Sequence, residues 1–402
     1  MTPTLSPAAP AARTLRLATA GYFIAFIAIG LVSASLGPTL PALAAQTGTA
    51  LGQMGILFTV RSLGYLIGSL LGGHLYDRLP GHLLLAAGLG GIAVTMALVP
   101  VSVLLVLVGA FLFMLGVFES SIDIGGNTLL MWRYGPRVGP YMNALHFFFG
   151  LGAFLSPLVV AQAGLRFGGL RGSYWALALL VLPTLVVVLL SPSPQAPVSS
   201  TEGRSGRASL VLTLLLAAAF FFYVGMEITY GGWVYSYALT KSLADAPGAA
   251  LLNSSFWGAL TLGRLLVIPL ADRVRPRTLL LGDLLLALAC VALILVFPNA
   301  LWALWAGTLG LGLAIASIYP TLMAFASRRI PITGQVTSIF VMGASLGGMT
   351  LPWLAGRLFQ EVGPQALPWE TGLALGVVLA LFVVIAMSTR GMSASANHPA
   401  GG

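Results

Sequence analysis

Two acidic side chains and an amide follow one another at four-residue intervals in an otherwise apolar stretch of the chain. They are Glu119, Asp123 and Asn127. On an α-helix this spacing places all three on one face, as a polar stripe. Two carboxylates on adjacent turns disfavour double ionisation, so one of them would take up a proton readily, and the same oxygens could bind a sodium ion. The alternative is a structural pair neutralised by Arg61 or Arg133.

A second set of side chains could bind hydroxyl groups. Amides, imidazole and carboxylates form paired hydrogen bonds with hydroxyls, while aromatic rings lie against the C–H face of a sugar. The candidates are Gln53, Asn127, Asn143, His146, Trp233, Asn253 and Trp257. Three alternatives stay open: His146 as a structural hydrogen-bonded group, Trp233 as an anchor at the membrane interface, and the aromatics as a drug-binding set. Glu227 is a further candidate for cation coupling, because its own segment contains no basic residue.

The elements that position these side chains must be membrane-spanning helices. Of 402 residues, 58% are hydrophobic and 7% are charged, against about 25% charged residues in an ordinary soluble domain. About 20 apolar residues cross a bilayer as a helix. Apolar runs between charged or Pro/Gly breaks predict twelve spans, the first over 17–43, the ninth over 278–297 and the last over 371–389. The prediction is an all-α, multi-pass membrane protein.

Several function classes are excluded or disfavoured by the same sequence. The single cysteine, Cys290, excludes a disulfide framework and a cysteine-based metal site. No nucleophile–base spacing, phosphate loop or metal cluster is apparent, so we expect no enzyme, no metal and no cofactor beyond a coupling ion, H⁺ or Na⁺. The net charge of +9 is expected to reflect membrane topology and not nucleic-acid binding.

The basic residues are distributed unevenly between the predicted loops. Most of them fall on one side, which predicts that both termini and a Pro/Ser-rich linker over 191–207 are cytoplasmic. The linker separates a half over 1–190 from a half over 208–402. The expected location is the cell's inner (plasma) membrane.

The two predicted halves repeat one another at an offset of 195 residues. Asp77-Arg78 aligns with Asp272-Arg273, and Pro157 aligns with Pro352. Two parallel six-span halves are the architecture of the major facilitators, whose halves rock around a substrate near mid-membrane. Five charged residues are candidate gating groups, the alternative being plain charge at the membrane edge: Asp77, Arg78, Arg133, Asp272 and Arg273.

Some of these motifs resemble a known family. The segments 122–127 and 139–157 are similar to spans four and five of the sodium-dependent glucose transporter 1 group. The segment 223–233 resembles that group and the bacterial fucose permeases, and the segment 256–264 resembles the fucose permeases. The resemblance implies proton coupling through an acid-x-x-x-Asn motif, here Asp123 and Asn127. Fucose permeases also use an acid in span one, and residues 29–38 contain none. Glu119 or Glu227 could take that role, or coupling could use sodium or be absent.

These observations lead to one hypothesis and two rivals. The hypothesis is a monomeric secondary transporter that imports a glucose-like monosaccharide by proton or sodium symport with alternating access. Its expected partners are the sugar and the lipid bilayer. The rivals are a proton-driven exporter of drugs or other amphipathic molecules, and a sensor that binds sugar without transporting it.

Overall fold

The computed structural model describes residues 8–191, 193–194, 210–271, 273–331 and 334–388, and within these the regular elements are all helical. The α-helices are α1 Ala8–Ser33, α2 Leu36–Thr47, α3 Gly55–Tyr76, α4 Gly81–Leu98, α5 Leu105–Tyr134, α6 Gly139–Phe167, α7 Gly169–Leu189, α8 Leu210–Thr240, α9 Ala246–Ala271, α10 Pro276–Val296, α11 Leu301–Ile315, α12 Ile318–Ser327, α13 Gly334–Glu361 and α14 Ala366–Ser388. Short 3₁₀ turns occur at Leu51–Met54, Val99–Val101 and Gly135–Arg137.

Most of these helices are long and apolar enough to cross a membrane. In the described part of the chain eleven spans meet that test, and the bent pair α1–α2 brings the number to twelve. The predicted all-α multi-pass membrane protein is confirmed. Many leucines and valines on the helix surfaces are exposed, which is the arrangement expected where lipid, and not water, is the solvent.

Two of the spans are interrupted, and each interruption lies shortly before a proline. The span predicted over 17–43 is not continuous, because α1 and α2 meet at a bend of 43°. Pro38 has no N–H to donate to the carbonyl of Ala34, so the helix loses a hydrogen bond there. The helix α11 likewise ends before Ala316, and Pro320 follows four residues later. Both breaks therefore have a local covalent cause.

The chain forms two compact units. The first comprises Met1–Ala50 and Val60–Ser199, and the second comprises Leu51–Thr59 and Ser200–Gly402. The segment before Val60, which includes the first turn of α3, thus packs with the second unit. Asp272 and nearly all of the predicted linker lie outside the described residues.

Close helix packing in each unit depends on a glycine at the same position of the repeat. A β-carbon on Gly152 of α6 would overlap the carbonyl oxygen of Ile27 in α1. A β-carbon on Gly347 of α13 would overlap the carbonyl oxygen of Phe221 in α8. Glycine lets helix backbones approach closely in a membrane. The sequence repeat is therefore matched by the same close helix pair in both units.

Candidate functional site

The polar stripe on α5 faces α3 inside the first unit. The two helices approach closely because Gly64 and Gly116 lack side chains, and a β-carbon on either one would overlap a carbonyl oxygen of the opposite helix. Two residues of α3 at the same four-residue spacing, Arg61 and Tyr65, meet Glu119 and Asp123 across this contact. The stripe therefore forms two side-chain pairs with α3, which we call the ladder. Its first rung is Arg61 with Glu119, and its second rung is Tyr65 with Asp123.

The first rung is a buried ion pair between Arg61 and Glu119. Arg61 donates from Nε to Oε2 at 2.8 Å and from Nη2 to Oε1 at 2.6 Å. The hydroxyl of Ser33 also donates to Oε1 at 3.0 Å, and the glutamate side chain is only 4% exposed. Arg61 donates in addition to the carbonyl oxygen of Ser33, at the end of α1, at 2.9 Å. This is the structural pairing that the sequence left as the alternative for Glu119.

The second rung has no cation. Asp123 accepts a hydrogen bond of 2.5 Å from the hydroxyl of Tyr65 at Oδ2 and one of 3.1 Å from the amide of Asn127 at Oδ1. Within the described residues Asp123 forms no ion pair. Asn127 also donates to the backbone carbonyl of Asp123 at 2.8 Å. Asp123 therefore combines partial exposure, neutral hydrogen-bond donors and no counter-charge.

Tyr65 was not among the residues that the sequence indicated. Its only signal is that it follows Arg61 by four residues, the interval that separates Glu119 from Asp123. That match becomes informative only when α3 and α5 are known to be neighbours.

The other candidates of the first unit do not join this ladder through any described contact. Asn143 and His146 on α6 are exposed, and the His146 ring meets the edge of Phe26 at a centroid distance of 6.0 Å. Gln53 is exposed in the 3₁₀ turn before α3, in the segment that packs with the second unit.

In the second unit, Asn253 and Trp257 lie one turn apart on α9 beside Gly231 of α8. Asn253 donates to the carbonyl oxygen of Gly231 at 2.6 Å, and the Trp257 ring occupies the space where a Gly231 side chain would stand. The Oδ1 of Asn253 and the Nε1 of Trp257 are both buried and have no hydrogen-bond partner in the described chain. A buried acceptor and a buried donor, one helical turn apart on α9, are therefore left unsatisfied among the described residues.

Glu227 and Arg264 lie on the same two helices. The Nη2 of Arg264 is 3.8 Å from the Oε1 of Glu227, and their side chains are 31% and 15% exposed. This separation is longer than a hydrogen bond, so Glu227 is partly neutralised but not saturated.

Trp233 has a different environment from the one proposed for it. Its indole is fully buried, donates to the carbonyl oxygen of Pro352 at 3.0 Å, and packs against Phe58 and Phe359. It is neither an anchor at an interface nor open to a ligand in this structure. Its place is in the core of the second unit.

The gating candidates that the structure describes lie at helix ends. Asp77 and Arg78 are exposed in the turn between α3 and α4, and Arg273 is exposed after α9. Arg133 lies 5.8 Å from the centre of the Tyr22 ring, and its Nη1 is buried without a partner among the described residues. An ion pair between Asp77 and Arg133 is therefore not formed here, while Asp272 lies outside the described residues.

Two further membrane acids lie in the second unit. Asp283 of α10 accepts a short hydrogen bond from Ser317 at the α11–α12 break. Glu370 fell one residue before the predicted last span, whereas α14 begins at Ala366 and buries it.

Comparison with known proteins agrees with this architecture. A sequence profile described as Major Facilitator Superfamily matches residues 21–331 and 215–399. Sodium-dependent glucose transporter 1 of Homo sapiens is 31% identical over 83% of this chain and 72% of its own length. Major facilitator superfamily domain-containing protein 4A of Mus musculus is 26% identical over 91% of both chains.

A solved structure shares the fold. The crystal structure of a mutant of the nucleoside transporter NupG superposes with a TM-score of 0.73, at 13% identity, over 92% of this chain and 99% of that one. At that identity the similarity concerns the fold alone.

Proposed function

This chain belongs to the major facilitator superfamily, and on that premise we propose that it is a secondary active transporter for a glucose-like monosaccharide. The proposed reaction is import by symport with a proton or a sodium ion, through alternating access. Several relatives are named as sodium-dependent glucose transporters, and this supports a sugar substrate and a coupling ion.

The observation that carries the proposal is the unsatisfied pair on α9. A buried polar atom without a partner costs about 1–3 kcal/mol. The Oδ1 of Asn253 needs a donor, and the Nε1 of Trp257 needs an acceptor. A hydroxyl group can act both as a donor and as an acceptor, so the hydroxyls of a sugar match the needs of both atoms. A sugar presents a donor and an acceptor at each of its hydroxyls, so a site that needs both supports a polyol substrate.

The coupling residue that the geometry favours is Asp123. Glu119 is saturated by Arg61 and Ser33, and Glu227 has Arg264 close by. Asp123 keeps a carboxylate whose described partners are all neutral. A proton or a sodium ion would compensate this charge, which is the requirement for coupling. Asn143 and His146, which are exposed on α6, are proposed as further substrate contacts.

Direct uptake measures the substrate and the ion together. Purified protein in liposomes is offered a panel of labelled hexoses, with proton and sodium gradients imposed separately. We expect accumulation of at least one hexose under one gradient. Saturable binding of cationic drugs without any hexose uptake would support the exporter, and hexose binding without flux would support the sensor.

Replacing Trp257 with phenylalanine is expected to weaken hexose binding by about tenfold or less. The substitution keeps an aromatic ring but removes the indole N–H donor at this position, and one neutral hydrogen bond contributes about 0.5–1.5 kcal/mol. Calorimetric titration of the purified protein measures the change. The matched control is Trp175→Phe on α7, an exposed indole that donates to the carbonyl of Ala97. Equal affinity of the wild type and the Trp257 variant would contradict this site.

The membrane topology and the assembly state are also proposed. The excess of arginine in alternate loops supports cytoplasmic termini. We propose the plasma (inner) membrane as the location. We propose that the transporter works as a monomer.

Asp77→Asn is expected to slow transport severely while leaving hexose affinity within about twofold of the wild type. Asp77 lies in the α3–α4 turn, remote in sequence from the α9 pair, and a gating contact acts on the exchange between states and not on the pocket. Paired measurements of uptake rate and binding constant separate the two effects. Asp245→Asn, another exposed loop aspartate, is the control. A parallel loss of affinity and rate in the Asp77 variant would exclude a gating role.

A further inference from the structure

Glu370 is a membrane acid that none of the roles above uses. It is the fifth residue of α14 and is only 8% exposed, whereas the preceding Trp369 is 66% exposed. The adjacent Thr371 is also buried. The glutamate therefore points into the second unit, while the tryptophan points outward.

Neither carboxyl oxygen of Glu370 has a hydrogen-bond partner in the part of the chain that the structure describes. Both Oε1 and Oε2 are buried and accept no hydrogen bond from any described residue. The two ion pairs of the described chain are Arg61–Glu119 and Arg264–Glu227, so no described cation compensates this group. Its environment differs from those of Glu119, Asp123 and Asp283, each of which accepts at least one side-chain hydrogen bond.

The helices α8, α10 and α13 pack against α14, and the titratable groups they carry toward the α13–α14 loop are few. They are Tyr230, Tyr235, Tyr237, Cys290, Arg357 and Glu361. Tyr237 donates to Gln365 at 3.4 Å, and the Tyr230 hydroxyl pairs with Thr308 at 2.7 Å. Arg357 lies over the ring of Trp353 at 5.6 Å, and Glu361 is exposed. None of the six forms a hydrogen bond or an ion pair with Glu370.

The balance of energies decides the charge state. An isolated ionised carboxylate in a protein interior costs several kcal/mol even after relaxation. The nearby amino end of α14 recovers about 0.3–1 kcal/mol, or about 2 kcal/mol in a favourable geometry. The ionised form is therefore the less stable one, and the bound proton removes the cost. A metal ion would need several ligands, and no cluster of three or more acidic, histidine or cysteine side chains that could hold one is found in the described part of the chain.

We propose that Glu370 is a proton-binding site of the second unit, holding its proton as a neutral carboxyl group in the conformation that the structure describes. The site is separate from Asp123 and does not depend on the identity of the transported molecule. It lies about one helical turn from the loop between α13 and α14, so a proton has a short path to the aqueous phase.

A hydrophobic carbodiimide tests the proton directly. The reagent reacts with protonated carboxyl groups in apolar surroundings, adding the O–H across one of its C=N bonds without a leaving group. We expect mass spectrometry of the full-length protein in detergent to find Glu370 modified, with less modification as the pH rises. The exposed Glu361 should remain unmodified. Modification that is independent of pH would overturn the proposal.

Thermal stability provides a second readout that does not depend on reagent access. The folded protein holds a proton that the unfolded chain releases above mildly acidic pH, so the unfolding constant should rise about tenfold per pH unit through this one group. Glu370→Gln imitates the neutral carboxyl and should remove this part of the pH dependence. Glu361→Gln is the matched control and should keep the wild-type profile.

Two results of the melting experiment would overturn the proposal. The first is the same dependence of melting temperature on pH in the wild type and Glu370→Gln. The second is stabilisation of the wild type, but not of Glu370→Gln, by sodium at constant pH, which would indicate a metal-ion site instead.

Discussion

Asp123→Asn is expected to abolish gradient-driven accumulation of sugar while equilibrium exchange across the membrane survives. The amide keeps the shape of the carboxylate and can still meet Tyr65 and Asn127, but it cannot bind or release a cation. Without the carboxylate of Asp123, neither a proton nor a sodium ion can bind at this position, so the ion gradient cannot drive transport through it. Counterflow and net uptake in liposomes measure the two activities separately.

Uptake by the wild-type protein in the same assay identifies the coupling ion. Proton coupling predicts that uptake rises as the outer solution is acidified, whereas sodium coupling predicts dependence on sodium at constant pH. Glu227→Gln is the control, because Glu227 is the second candidate for binding the coupling ion and is only partly neutralised by Arg264. Accumulation by Asp123→Asn at the wild-type level under either gradient would contradict the assignment and favour Glu227.

Tyr65→Phe refines the same experiment. The phenol hydroxyl donates to Asp123 at 2.5 Å and stabilises its ionised form. A hydrogen bond to a charged group contributes about 1.5–3 kcal/mol. Under proton coupling, its loss should lower the proton concentration for half-maximal uptake by about tenfold or more without abolishing accumulation.

Arg61→Leu is expected to destabilise the protein by about 3–5 kcal/mol, because it leaves Glu119 as an uncompensated buried charge. The loss should appear as a lower melting temperature and a lower yield of monodisperse protein in detergent. Replacing both partners, as Arg61→Leu with Glu119→Leu, should recover much of the stability, since a buried pair costs desolvation that apolar residues do not.

The pair Arg264–Glu227 provides a matched comparison. It is wider, at 3.8 Å, and more exposed than Arg61–Glu119. Breaking it with Arg264→Leu should cost about 1 kcal/mol or less. If Arg61→Leu were no more harmful than Arg264→Leu, the first rung of the ladder would not be a stabilising structural pair.

The sequence alone was enough to predict the class of fold. Hydropathy is a property of consecutive residues, and about 20 apolar residues can satisfy their backbone in a bilayer only as a helix. The four-residue spacing of Glu119 and Asp123 is equally local, so their common face on α5 followed directly. The bend after Ser33 was also encoded locally, by Pro38, although the span over 17–43 was predicted without it.

Only the tertiary structure decided which acidic side chains are neutralised by a cationic partner and which remain able to bind a coupling ion. Glu119 and Asp123 are alike in the sequence, yet Arg61 saturates the first and Tyr65 leaves the second without a counter-charge. Glu370 lies one residue outside its predicted span, and the structure shows it buried with no hydrogen-bond partner among the described residues. Charge compensation depends on the faces that helices turn to one another across dozens of residues, and the hydropathy of a single segment contains no information about its neighbours.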